Sequence, residues 1–479
     1  MKQRLGTTAL ALALLLSACG GGGSSPPPPS GPIGGTPPPA PAPTSSACSL
    51  RSRQDWVAGQ MREWYLFPET LPASLDPAPF TTVQGYIDAL TATARAQRRD
   101  RFFTFITSIA EENAFFSSGQ TAGFGVRFAL DSGARRLFVT EAFEGAPGLA
   151  AGIDRGTEIL AIGASSGNLR TVSDILASQG SAGLNDALGP NTAGTTRVLR
   201  ISNAAGTRDV TVTKADFEIP PVSTRYGARV IEDGGRRVGY VNLRTFISSA
   251  DPALRQAFAG FRAQGITEVI VDFRYNGGGL VSIGELMGDL LGGNRSSSDV
   301  YSFTAFRAEK ANNNRQRNFQ PQPQSIGAMK IAFIGTSGTA SASELVINAF
   351  IPYLRANAAL IGTNTFGKPV GQIALDRAEC DDRLRVIAFA TQNASRQGDY
   401  YDGLATKMEA SCQAPDDISR QLGDPQEGST RQALDYLAGR SCTPISTGVS
   451  TQSVRTGVRR DLLVPEQPTT AQREVPGLF

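Results

Sequence analysis

The pattern of apolar and polar positions divides the chain into regions of different texture. In residues 51–115, apolar side chains recur at near-helical spacing, for example at Met61, Trp64 and Tyr65, and again from Tyr86 to Leu90. Such periodicity is typical of helices packed against one another. It predicts a mainly helical region to which we assign no chemistry.

From Gly123 onward the pattern is that of short strands separated by turns. The run Gly123, Phe124, Gly125, Val126 is a glycine turn that leads into an alternating strand. A short helix is expected at 147–152. Further strands are expected at 137–140, 156–163, 197–201 and 210–213. The segment 164–196 is interpreted as a long loop, so this part is predicted to be a small β-domain.

From residue 237 onward, apolar strands alternate with helical patterns. Strands are expected at 238–243, 268–273, 331–335 and 360–362, and the second is apolar almost throughout, as in a buried parallel sheet. After Ser341, apolar residues recur along one helical face as far as Leu354. The alternation predicts a layered α/β domain.

The candidate chemistry follows from an absence. The chain contains no histidine, so a serine nucleophile cannot use an imidazole as its base. Arginine stays protonated, which leaves six lysines. Lys368 follows Ser341 in a glycine-flanked turn, where desolvation would have to lower its pKa before it could act as a base. The alternatives are a surface lysine and a serine that only caps its helix, because Ser341 and Glu344 match a capping box.

A second glycine element ends the strand at 268–273. The run 276–279 lacks the GK[ST] ending of a phosphate loop. Exposed backbone amides in such a run suit an oxyanion hole, because they can bind developing negative charge. A flexible turn between a strand and a helix is the alternative.

These three elements together resemble the C-terminal processing proteases, the serine–lysine peptidases of the S41 type that include tail-specific proteases. The motifs are the strand ending in a glycine turn, Ser-Ala-Ser-Glu at 341–344, and Phe-Gly-Lys at 366–368 with a glutamine four residues later. The resemblance covers about 120–440. It implies that Ser341 is the nucleophile, that Lys368 is the general base, and that Gln372 orients the lysine. It also implies that the amides of Gly278 and Ala342 form the oxyanion hole.

The β-domain resembles the PDZ domain inserted in such proteases. This implies that the turn Gly123–Val126 captures the C-terminal carboxylate of a substrate, while the adjacent strand edge pairs with its backbone. Substrates would be exported proteins with disordered, apolar C-termini, and an adaptor protein is a possible partner. No metal or other cofactor is implied. The sequence departs from the family pattern at Tyr275 and Gly277, which replace asparagine and proline, and at Pro369.

The first residues of the chain are typical of an export signal. Lys2 and Arg4 precede a short apolar run from Leu10 to Leu16, which is followed by a small-residue site that ends at Cys19. This resembles a bacterial lipoprotein signal that lipidates Cys19, and Gly20 favours the outer membrane, with the protease domain in the periplasm. An ordinary cleaved signal is the alternative. The net charge of +3 on 479 residues gives no reason to expect nucleic-acid binding.

Four further cysteines predict two disulfides. Three pairings are possible, and the local pair Cys380–Cys412, with Cys48–Cys442 closing the folded part, is preferred. A zinc site is disfavoured because histidine and any CxxC spacing are missing.

The predicted fold class is a multidomain α/β protein with a layered, ClpP/crotonase-like protease core, an inserted PDZ-like β-domain and a small N-terminal helical region. The predicted regions are a signal peptide (1–19), a Gly/Pro-rich tether (20–47), the helical region (48–117), the PDZ-like domain (118–215), the protease core (216–442) and a disordered tail (443–479).

Two other functions fit part of the pattern. A non-catalytic lipoprotein that binds peptides or other ligands on the same scaffold is the alternative, although it would not need Ser341, Lys368 and Gln372 together. A penicillin-binding-type enzyme is excluded, because that class needs S-x-x-K and no lysine here has a serine three residues before it.

Overall fold

The computed structural model describes residues 46–446 and 460–479. The predicted signal, with Cys19, and nearly all of the tether lie outside the described residues. Within the described ranges, no helix is long and apolar enough to cross a membrane. The helices are α1 (Leu50–Trp64), α2 (Val83–Leu90), α3 (Ala92–Ala96), α4 (Ile109–Ser118), α5 (Pro147–Ala150), α6 (Val172–Leu188), α7 (Ala250–Ala263), α8 (Val281–Leu291), α9 (Ala342–Leu354), α10 (Gly428–Leu437) and α11 (Thr470–Glu474).

The strands form four sheets. They are β1 (Phe105–Ser108), β2 (Gln120–Gly123), β3 (Val126–Asp131), β4 (Arg136–Ala142), β5 (Glu158–Gly163), β6 (Arg170–Thr171), β7 (Thr196–Asn203), β8 (Gly206–Thr213), β9 (Ala215–Glu218), β10 (Ala228–Asp233), β11 (Arg236–Asn242), β12 (Glu268–Asp272), β13 (Val300–Phe306), β14 (Arg315–Asn318), β15 (Lys330–Gly335), β16 (Ala358–Gly362), β17 (Val370–Arg377), β18 (Asp382–Gln392), β19 (Ala410–Gln413) and β20 (Asp461–Leu462).

The central sheet has six strands in the order β10-β11-β12-β15-β16-β19. All neighbours are parallel except the β10–β11 pair. Its strands are buried on both faces: Val269 and Val271 of β12 pack with α7, α8 and α9, whereas Ile270 packs on the other side with α10. Burial on both faces explains the nearly continuous apolar runs. The predicted α/β layering is confirmed.

An antiparallel sheet of β1, β13, β14, β17 and β18 packs beside the N-terminal helices. Val57 and Met61 of α1 and Ile87 of α2 share an apolar cluster with Leu384 and Val386 of β18. The helical prediction for 51–115 thus missed β1. That strand is four residues long and forms by pairing with β18, nearly 280 positions away, so no local periodicity reveals it.

The third sheet has seven antiparallel strands in the order β20-β3-β4-β5-β7-β8, with β6 beside β5. The strands predicted between residues 126 and 213 overlap β3, β4, β5, β7 and β8. The loop interpretation of 164–196 is wrong, because α6 occupies most of it. This helix is kinked at Gly180, where φ is 64°, and the kink interrupts the apolar spacing that would have revealed it. A two-stranded ribbon of β2 and β9 flanks the sheet.

The prediction of a disordered end over 443–479 is wrong for residues 460–479. There, β20 pairs with β3, and α11 packs against α4. Leu478 and Phe479 are only 2% and 3% exposed. These residues are ordered by contacts with distant parts of the chain, so composition alone could not reveal their packing.

The preferred disulfide pairing is also wrong. Cys48 bonds to Cys380 and Cys412 bonds to Cys442, with Cα–Cα distances of 5.5 and 5.4 Å. Cys380 lies in the turn between β17 and β18, beside the start of α1, whereas Cys412 lies on β19 in the central sheet. The fold therefore separates the two cysteines that looked local in sequence.

Candidate active site

Ser341 lies between β15 and α9, at the N-cap of the helix. Its φ of 55° is in the left-handed region that residues with a Cβ seldom occupy. Its amide donates to Glu344 Oε2 at 3.1 Å, which is one half of the predicted capping box. Strain of this kind concentrates at functional sites. A sharp turn between strand and helix also presents a serine hydroxyl beyond the sheet.

Glu344 connects the serine to the loop that carries the lysine. One of its oxygens accepts hydrogen bonds from Thr365 Oγ1 and the Gly367 amide, at 2.6 and 2.7 Å. The other accepts the amides of both Lys368 and Ser341, at 2.8 and 3.1 Å. Burial raises the pKa of this carboxyl, and the four hydrogen bonds act in the opposite direction. Sequence reasoning saw Glu344 only as a helix cap.

Lys368 precedes β17, and its side chain points to Gln372. Lys368 Nζ donates to Gln372 Oε1 at 3.0 Å, and Gln372 Nε2 donates in turn to the Phe103 carbonyl. The Phe103 ring centroid lies 5.1 Å from the same Nζ. Desolvation lowers the pKa of Lys368 below the ordinary lysine value, and the Glu474 carboxylate opposes this shift. The apolar surroundings therefore favour the neutral amine that a base requires.

The glycine turn lies directly against the serine. A Cβ at Gly278, where φ is 123°, would meet Ser341 Cβ at 2.7 Å and the Ala342 nitrogen at 3.2 Å. The Gly278 amide, however, donates to Asn276 Oδ1 at 3.0 Å, so it is not free to bind a substrate oxygen in this conformation. Among the described residues, the amides of Gly279 and Ala342 have no hydrogen-bond partner.

A cavity of about 140 Å³ opens beside these groups. Ser341 and Gln372 line it from the core, and Thr470 and Glu474 line it from the late part of the chain. The remaining lining residues are Phe105, Glu112, Phe116, Gly279, Leu280, Val281, Gly371 and Arg385. The contribution of Thr470 and Glu474 was missed, because the sequence offered no sign that this end is ordered.

The four residues Gly123–Val126 form the junction of β2 and β3, and all four are buried. Their backbone is bonded to the end of the described chain. The amides of Gly125 and Val126 donate to the Phe479 carbonyl oxygen at 2.9 and 3.3 Å, and the Phe479 amide donates to the Val126 oxygen at 2.9 Å. This turn, predicted to bind a peptide end, thus holds a segment of the same chain.

A buried ionic cluster supports the glycine turn from behind. Arg274 forms two hydrogen bonds of 2.9 Å with the carboxylate of Glu427, and it also pairs with Asp272 and Asp416. Arg274, Asp272 and Glu427 have fully buried side chains. Sequence reasoning missed this cluster, because its members are far apart along the chain.

Residues 237–397, which include the glycine turn, Ser341 and Lys368, match the family model described as peptidase family S41. The chain is 26% identical over 279 residues to the chloroplastic C-terminal processing peptidase of Tetradesmus obliquus, which covers 55% of this chain and 54% of that protein. It is 24% identical over 328 residues to the carboxyl-terminal-processing protease of a Synechocystis strain, covering 67% and 70%. These matches place residues 237–397 in peptidase family S41.

The fold is shared with a solved structure. A crystal structure described as an S41 protease from Bacteroides fragilis superposes with a TM-score of 0.62 at 21% identity, covering 80% of this chain and 97% of that one. The shared fold extends beyond the region matched by the family model. The chain nevertheless spans only about half the length of the first curated relative.

Proposed function

We propose that this S41 chain is a serine endopeptidase that cleaves exported proteins with disordered, apolar C-termini by a Ser341/Lys368 dyad. One observation carries the proposal: Glu344 Oε2 accepts the backbone amides of both Ser341 and Lys368, while Lys368 Nζ is held by Gln372 Oε1. The loops carrying nucleophile and base are therefore joined at one buried carboxylate.

The mechanism is acyl transfer. Neutral Lys368 takes the Ser341 Oγ proton as this oxygen attacks the scissile carbonyl carbon, and the resulting ammonium protonates the leaving amine. Water then attacks the acyl-enzyme, with Lys368 accepting and returning its proton. The Ala342 amide at the start of α9 stabilises the oxyanion. Gly278 supplies the second amide once the Asn276 side chain releases it.

Substrate selection is assigned to the seven-stranded sheet, which we propose is a PDZ-like domain. Its turn Gly123–Val126 presents backbone amides beside a strand edge, the arrangement by which such domains bind peptide ends. The names of two relatives as C-terminal processing enzymes support this assignment. We also propose a lipid anchor at Cys19, outside the described residues, that retains the enzyme at the outer membrane.

Replacement of Ser341 by alanine tests the activity. The purified chain is incubated with a disordered protein ending in an apolar tail, and substrate mass is followed by mass spectrometry. We expect wild type to cleave and Ser341→Ala to be inactive, because no other group can form the acyl-enzyme. Ser337→Ala, an exposed serine in the same loop, should retain wild-type activity.

Equal cleavage by wild type and Ser341→Ala would overturn the proposal. Peptide binding without cleavage by any of the three proteins would instead favour the non-catalytic binding lipoprotein.

The substitution Gly278→Ala should lower kcat/KM by about 10²–10³-fold, as loss of one oxyanion donor does, because the turn that carries this amide would have to move away from Ser341. The reason is steric: the new Cβ would lie 2.7 Å from Ser341 Cβ, at a φ of 123° that suits only glycine. Steady-state kinetics with a peptide substrate measure the effect. Gly133→Ala, in an exposed turn with no contact closer than 3.5 Å, is the matched control. Wild-type kinetics in Gly278→Ala would exclude a tight contact between the turn and the nucleophile.

A further inference from the structure

The described end of the chain, residues 460–479, runs along the third sheet and through the candidate active site. We call it the tail segment. Its first part, β20, pairs with β3, with Asp461 opposite Leu130. Residues 477–479 pair with the same edge of β3, where the Phe128 amide donates to the Gly477 oxygen at 2.8 Å. The intervening residues leave this edge and enter the cleft that contains Ser341.

In the cleft, the tail segment contacts the catalytic groups directly. Thr470 and Glu474 line the same cavity as Ser341 and Gln372. The Gly277 amide, in the glycine turn, donates to the Glu474 carbonyl at 2.9 Å. The Glu474 carboxylate is also the charge that raises the pKa of Lys368 most. A substrate chain that reached the nucleophile would have to occupy this space.

Gly277 is one of the positions at which the sequence departs from the family pattern. A Cβ there would lie 2.3 Å from the Arg473 carbonyl oxygen. Proline, the family residue, would also remove the amide that binds the Glu474 carbonyl. Glycine at this position therefore both makes room for the tail segment and supplies its hydrogen bond.

Apolar packing holds the segment in place. Ala471, Val475 and Leu478 are buried in a cluster with Phe115, Phe143, Phe217, Ile219 and Ile247. Polar contacts join it to the glycine turn as well, because the buried Arg127 guanidinium donates both to the Tyr275 carbonyl and to the Pro476 carbonyl. Arg127 thus links the edge of β3 that pairs with β20, which we call the peptide-binding edge, to the tail segment and to the glycine turn beside Ser341.

We propose that the tail segment is an intramolecular ligand that occupies the peptide-binding edge and the catalytic cleft together, and thereby restrains cleavage until a competing protein end displaces it. The competing segment would carry an apolar residue followed by an aromatic one, as Leu478 and Phe479 do. This inference rests on the proposed peptidase function.

The tail segment is held as an inhibitor and not as a substrate. Residues 470–474 are helical in α11, whereas a peptide bond presented for attack must be accessible to Ser341 Oγ with its carbonyl on the oxyanion amides. The Glu474 carbonyl is instead bonded to Gly277, outside the predicted Gly278–Ala342 pair. A helical turn also fills the cleft without exposing an extended backbone.

Val475→Asp in the full chain tests the proposal. A carboxylate in the buried cluster should expel the tail segment and raise kcat/KM for a peptide substrate by about tenfold, as expected if only about a tenth of wild-type molecules are open at any time. Val464→Asp is the matched control. It makes the same substitution in the same segment at a residue that is 45% exposed, whereas Val475 is 0% exposed, and it should leave kcat/KM unchanged. A synthetic peptide of the sequence 470–479 should inhibit Val475→Asp in trans.

If wild type cleaves the peptide, a folded Val475→Asp with an unchanged or lower rate would overturn the proposal. Should this variant unfold, Leu478→Ala is the milder replacement in the same cluster and should give a smaller rise in kcat/KM.

A binding measurement separates this inference from the proposed function. In the Ser341→Ala background, Val475→Asp should tighten the binding of a fluorescent peptide of residues 475–479, measured by fluorescence anisotropy. If Val475→Asp tightens peptide binding but no protein that keeps Ser341 cleaves the peptide, the tail ligand is retained and the peptidase function is rejected. If wild type cleaves the peptide but Val475→Asp changes neither the rate nor the binding, the peptidase function is retained and the tail ligand is rejected.

Discussion

Lys368→Ala is expected to lower kcat by at least about 10⁴-fold, as loss of a base that acts as a unit with its nucleophile does elsewhere. No histidine exists to replace it, and the side chain truncation also removes the hydrogen bond to Gln372. Single-turnover and steady-state kinetics measure the loss. Lys407→Ala, at an exposed lysine, serves as the control and should be fully active.

The double variant Ser341→Ala, Lys368→Ala should be no slower than either single variant, because the two groups work in one step. An additive loss would indicate that Lys368 acts independently of the serine.

The pH profile provides a second readout of the same residue. Burial lowers the pKa of Lys368, with Glu474 and Asp100 raising it and Arg473 and Arg385 lowering it further. Because the base is the neutral amine, kcat/KM should rise with pH through a pKa below the ordinary lysine value and level off above it. The residual activity of Lys368→Ala should lack this rise. The same rise in the variant would assign the titration to another group.

Arg274→Met is expected to lower the free energy of unfolding by about 3–5 kcal/mol, the range found when one partner of a buried ion pair is removed. The variant would leave the buried carboxylates of Asp272 and Glu427 without their counter-charge. Denaturant unfolding at neutral pH measures the loss. Arg420→Met is the matched control, because Arg420 is 42% exposed and pairs only at 3.6–4.0 Å, so its loss should be small.

The Arg274→Met effect should depend on pH in a stated direction. Burial alone raises the pKa of Glu427, and the charge and hydrogen bonds of Arg274 lower it overall. Without Arg274, the folded-state pKa of Glu427 rises above its unfolded value, so the variant binds a proton more readily when folded. Its stability therefore falls as pH rises through that pKa. A loss that is constant across the acidic range would show that the arginine acts through packing alone.

The sequence alone was sufficient for four of the six strands of the central sheet, β11, β12, β15 and β16, and for the shortlist of chemical groups. The apolar runs at 268–273 and 331–335 correspond to β12 and β15, and the helical face after Ser341 corresponds to α9. These patterns are local, because burial on both faces of a sheet or on one face of a helix is written into neighbouring residues. The absence of histidine, combined with the scarcity of lysine, then confined any serine chemistry to very few partners.

Only the tertiary structure decided how distant residues meet. The Glu344 carboxylate joins Ser341 to Lys368, Arg274 reaches Glu427, and Cys48 bonds to Cys380 across 332 positions. The tail segment is the clearest case: Val475 and Leu478 carry no periodic signal, and their burial depends on a surface assembled from residues between 115 and 247. The spacing of neighbouring residues encodes secondary structure. These contacts instead join residues that are far apart in sequence. Because the entropic cost of closing a loop changes only slowly with its length, sequence distance does not indicate which residues will meet.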